Sequence, residues 1–196
     1  VALIVAIPLV ALAQITPDNV ATLLSMKLPD SRVSQGNFLR VLPALLGFGA
    51  RIKFNAPIEE FVLLLTDLGI MEPGYPINPP APVTRGWAAV LKVKALGIQP
   101  NLIEWIQIKI SGLTPAIATK MAQRAGVMPP GKAENTETGM EFASECLAIA
   151  SLARTRPLPG ANISSILAII SAITSRVVNI KTCELVIPGL VHVPTS

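Results

Sequence analysis

Apolar positions recur along the middle of this chain at helical spacing, and each run is bracketed by residues that start or stop a helix. Thr16-Pro17-Asp18 offers a cap, a first-turn proline and an acid at the positive end of the dipole, predicting a short helix to about Met26. Ser34 or Asn37 begins a second run with Phe38, Leu39, Leu42, Leu45 and Leu46 on one face. Pro43 should bend or divide it, and Gly47 and Gly49 stop it. Pro57-Ile58-Glu59-Glu60 opens a third helix with a stripe of Phe61, Leu64, Leu65 and Leu68, closed by Gly69.

Prolines crowd the stretch from Ile70 to Pro82, which is therefore a connector without regular structure. Thr84 caps a helix from Arg85 to Leu96, and Gly97 ends it. Pro100 starts another that reaches about Ser111, before Gly112. Its second half, Ile106 to Ile110, alternates as a strand would, but its punctuation favours helix. Thr114-Pro115 repeats the cap-and-proline device, with Gly126 as the stop. After a polar loop from Met128 to Thr136 comes the longest helix, about Glu137 to Arg154, where Thr138 and Glu141 have capping-box spacing. Pro157 and Pro159 break the chain, and Asn162 caps an apolar helix to about Val178. That role suits Asn162 better than glycosylation of the formal sequon Asn162-Ile163-Ser164. No repeat of fixed period emerges.

The expected fold is all-α, about seven or eight helices in a single domain. Residues 16–178 form the helical core, flanked by apolar arms at 1–15 and 179–196. The arms lack caps, carry little charge, and contain Pro8, Pro188 and Pro194, so they should be extended. Extended arms need partners for their backbone groups and cover for their side chains; adjacent copies of the chain would supply both, the alternative being an arm folded back on its own domain. An alternative for Val1–Ala13 is a secretory leader with Ala11-Leu12-Ala13 at its cleavage site, although the run contains no basic residue.

Composition sharpens this picture. Apolar residues make up 51% of the 196, charged residues only 14%, and the mean hydropathy is +0.57. A soluble domain usually carries about 25% charge, so other subunits or a membrane must take up the surplus. No apolar stretch reaches the roughly 20 residues of a spanning helix, and an integral span is not expected.

Candidate chemistry is sparse. His192 is the only histidine, no Cys-x-x-Cys or His-Glu-x-x-His spacing occurs, and Gly47-Phe48-Gly49 lacks the rest of a nucleotide fingerprint. Glu59 and Glu60 are adjacent on a first helical turn, where the dipole explains them. Cys146 and Cys183 are expected as buried reduced thiols rather than a disulfide framework. Trp87 and Trp105 read as core or interface anchors. Neither an enzyme, a metal site nor a cofactor is expected.

What remains is a mild positive charge, +4 from sixteen basic and twelve acidic residues, with a pI near 9.3. The cations that could contact phosphates are Arg32, Arg40, Arg51, Lys53, Lys120 and Arg124. Arg124 and Arg154 also suit plain helix C-termini. The function expected is a structural, self-assembling subunit of viral coat or nucleocapsid type. It would polymerise through its arms and package RNA without sequence preference, in a virion or the cytoplasm. The alternative is a secreted or membrane-surface helical protein that binds lipid or another apolar ligand.

Overall fold

The computed structural model describes residues 32–175 together with Val20, and the protein is all-α. The helices are α1 (Gln35–Leu45), α2 (Ile58–Asp67), α3 (Arg85–Ala95), α4 (Leu102–Ser111), α5 (Pro115–Arg124), α6 (Gly139–Thr155) and α7 (163–175). Among the described residues there is no strand, only isolated bridges and a 3-10 turn at Gly49–Arg51. The arms expected at 1–15 and 179–196 lie outside the described residues, as do Cys183 and His192. So does the first helix, except for Val20, which is helical and fully buried.

At Ser34, Thr84, Thr114 and Thr138 caps set the helix starts as the sequence suggests, each side chain accepting the N–H three residues on. α4 starts at Leu102 rather than Pro100, because Asn101 is its cap and accepts the Glu104 N–H. Thr138 and Glu141 close the expected capping box, and Asn101 and Glu104 form a second. Asn162 Oδ1 accepts the Ser165 N–H at 3.2 Å, which makes it a cap. Pro43 does not divide α1. It sits in the last turn, so the one helical bond that its missing N–H removes, to the Leu39 carbonyl, falls near the helix end, and its own carbonyl accepts the Phe48 N–H at 2.8 Å. The longest helix starts at Gly139 rather than Glu137, because Thr138 is the cap.

Three helix starts are tied into one ring by the residues just before their caps. Val33 N donates to Glu137 O (3.4 Å), Glu137 N to Val83 O (3.0 Å), and Val83 N to Val33 O (2.7 Å). The N-termini of α1, α3 and α6 therefore converge, and their first turns pack on one another. Phe38 lies 5.5 Å from Trp87, edge to face, and 5.8 Å from Phe142. Close approach here requires a small residue: a Cβ at Gly86 would sit 2.7 Å from the Pro115 side chain.

The core fills the space below this ring with Leu39, Leu42, Leu45, Ala88, Leu91, Cys146 and Ile149. α5 runs against α3, α2 covers α1, and α4 rests on α5. Gly47 ends α1 in the left-handed region (φ 89°), and its carbonyl accepts the Asn162 N–H at 3.1 Å, docking the start of α7.

Candidate functional site

The six candidate cations fall into separate groups. Arg40 projects from α1 and donates through Nη1 to the carbonyls of Phe54 (2.7 Å) and Ala56 (2.8 Å), with its guanidinium 5.1 Å from the Phe61 ring centroid. It thereby pins the 54–56 turn between α1 and α2, and its charge stands behind that turn. Arg51 and Lys53 are exposed on the same segment. They line a cleft of about 440 Å³ with Ile52, Asn55, Pro57 and Glu60. Arg51 lies over the Phe48 ring at 4.9 Å, which fixes its direction.

Lys120 and Arg124 stand one turn apart on α5. Arg124 Nη2 bonds Glu104 Oε2 at 2.7 Å and the Gln99 carbonyl at 2.8 Å. With Arg156 it borders another cleft of about 440 Å³, walled by Leu96, Ile98, Gln99 and Leu152. Lys120 is exposed beside α4. Arg32 is exposed and pairs its backbone with Thr138, at the ring of helix starts. The structure places Arg51 and Lys53 on one cleft with Arg40 committed behind it; Arg124 lines a second cleft and Lys120 a third, between α4 and α5.

Two features escaped the sequence reading. One is the orientation of α4. Its only buried residue is Glu104, held by Arg124 and by the Asn101 N–H at 2.7 Å. Burial works to raise the Glu104 pKa. The bonds from Arg124 and Asn101, with the charges of Arg124 and Lys120, outweigh it and hold the carboxyl below its usual value. With the acid turned inward, the apolar residues turn outward: Leu102, Ile103, Trp105, Ile106 and Ile110 are 45–82% exposed. Of the alternating isoleucines, Ile106 and Ile110 share the outer face while Ile108 turns back against the core.

The other is a buried charge cluster between α3 and α6. Lys92 is fully buried and bonds Glu137 Oε1 (2.9 Å) and Glu145 Oε2, both acids being buried too. Burial pushes the Glu145 carboxyl up, Lys92 opposes this and Glu137 reinforces it, and the pKa stands at about 8. Burial also works against the Lys92 charge, but Glu137 and Glu145 raise its pKa overall. Among the described residues Glu137 Oε2 and Glu145 Oε1 have no hydrogen-bond partner, and the neighbouring Glu137 charge adds to the cost of ionising Glu145. The signal was present in the sequence. Lys92 falls on the apolar stripe of Ala88, Ala89 and Ala95, and Glu145 on that of Phe142 and Ile149. Cys146, beside them, is buried with its thiol pushed well up by desolvation.

Among the described residues no group of three or more His, Cys, Asp or Glu side chains is placed to hold a metal, and no helix is long and apolar enough to cross a membrane. No protein family, curated protein or solved structure matches this chain.

Proposed function

We propose that this chain is a structural subunit that assembles with copies of itself, of viral coat or nucleocapsid type, and packages RNA through phosphate contacts without sequence preference. The observation that carries the reading is the outward apolar face of α4. Five large side chains stand in solvent there while the helix's acid is buried. Burying each such side chain is worth roughly 1.5–3 kcal/mol, so covering the face provides a substantial driving force for association. The surplus of apolar over charged residues across the chain argues the same way.

Arg51 and Lys53 at one cleft, with Lys120 and Arg156 elsewhere, are cations with free access to solvent, as phosphate contacts require. The test is electron microscopy and ultraviolet absorbance of the purified full chain at low ionic strength. Polymers or shells with nucleic-acid absorbance that is shed as salt rises support the reading. Particles without retained RNA at low salt overturn the packaging half, and a dispersed monomer overturns the assembly half.

A further inference from the structure

α4 is a ten-residue helix, so its outer face runs about 15 Å. Beside it, between α4 and α5, lies a groove of about 340 Å³ lined by Gln107, Ile110, Ser111, Ala116, Ile117 and Lys120. Ile110 belongs to both, so face and groove form one surface. Glu104, the only acid on α4, is turned inward and paired, which leaves Lys109 as the helix's own charge at the edge. The surface is therefore apolar, with amide, hydroxyl and ammonium groups along its margin, and it lacks a carboxylate of its own.

One segment of this chain has matching chemistry. Residues 1–13 read Val-Ala-Leu-Ile-Val-Ala-Ile-Pro-Leu-Val-Ala-Leu-Ala, without a charged or hydrogen-bonding side chain. In an extended conformation, at about 3.3 Å per residue, five of them match the length of α4 and the rest can reach the groove. The Gln107 amide, and the Ser111 hydroxyl as an acceptor while it donates to the Gln107 carbonyl (2.9 Å), stand where they can bond the backbone of such a segment, which would otherwise have unsatisfied polar groups. Residues 179–196 suit the surface less well, because their uncharged apolar run, 185–191, is only seven residues between Glu184 and His192, enough for the helix face but not for face and groove together.

We propose that the outer face of α4 and its adjoining groove seat residues 1–13 of a second copy of this chain. The inference rests on the self-assembly reading above and deepens it. Seat and segment are different surfaces, so the contact either closes as a reciprocally exchanged pair or runs head to tail from copy to copy into a ring or filament; the self-assembly reading takes the second.

The experiment uses the full chain with a photoreactive phenylalanine analogue in place of Ile103, mixed from isotopically heavy and light copies, irradiated and mapped by mass spectrometry. The expected result is crosslinks from position 103 of one isotope to residues 1–13 of the other. Ile103→Asp with Ile106→Asp should then abolish assembly while leaving the far-ultraviolet circular dichroism unchanged, since both positions are exposed. Deleting residues 1–13 should have the same effect. Crosslinks only within one copy, to residues 179–196, or to any other surface overturn the seat; if such material still polymerises, the self-assembly reading survives. A parent chain that stays monomeric overturns both.

Discussion

Raising the pH from about 5 to about 8 should weaken this fold, and Glu145 is the group responsible. Its carboxyl, shut between α3 and α6 against Lys92 and Glu137, has a pKa of about 8 against an ordinary 4.5. The folded chain keeps this proton where the unfolded chain has released it. Stability from this group is thus fully present below 4.5 and is lost as pH rises toward 8. Between about pH 5 and about pH 8 the loss amounts to a few kcal/mol, a sizeable part of a typical domain's stability.

Neighbouring groups act outside this window. Glu104 and Glu141, held below the ordinary 4.5, contribute stability that is lost only as pH falls beneath it. Lys92, raised above 10.5, loses its contribution only at higher pH. The assay is urea unfolding at fixed protein concentration across the window, followed by circular dichroism. Glu145→Gln supplies a permanently neutral amide that keeps an acceptor for Lys92, so its stability should be nearly level over the window and exceed the parent's at about pH 8. A parent that grows more stable with pH, or a Glu145→Gln variant with the parent's slope, would refute the reasoning.

Three other outcomes follow from the same structure. Gly47→Ala should cost clearly more than Gly97→Ala in denaturant midpoint. Both positions have positive φ, but a Cβ at Gly47 would lie 2.8 Å from the Asn162 nitrogen and one at Gly97 meets open space; the strain alone is worth about 1 kcal/mol and the clash adds to it. Thr138→Ala removes the cap of α6 and both of its side-chain bonds with Glu141, and should lower stability by about 0.5–2 kcal/mol in urea unfolding. Arg51→Ala with Lys53→Ala should weaken RNA retention and flatten the slope of log affinity against log salt by about 1.4, measured by filter binding, whereas an unchanged slope would remove their cleft from the RNA path.

Most of the fold could be read directly because its boundaries are local chemistry. Thr84, Thr114-Pro115, Thr138 and Asn162 bond atoms within three residues, and Gly47, Gly69, Gly97 and Gly126 close helices through their own φ. What the sequence hid depends on distant partners. Glu104 is inside because Arg124, twenty residues on, meets it there, and nothing within Leu102–Ser111 says which face turns inward. Lys92 is tolerated in the core because Glu137, just before the cap of α6, and Glu145, within that helix, meet it there. Of the candidate cations, Arg40 looks as free as Arg51 in the sequence, yet it is committed to two carbonyls and an aromatic ring. The ring joining Val33, Val83 and Glu137 also escaped, since its three segments are spaced unequally along the chain.

The most direct test of the self-assembly account is the mass of the full chain in solution, by sedimentation velocity at low ionic strength over a range of concentrations. The account predicts species many times the 20.7 kDa chain, reduced to single copies by Ile103→Asp with Ile106→Asp. A parent chain that sediments as one 20.7 kDa particle throughout, with α4 open to solvent, would contradict it.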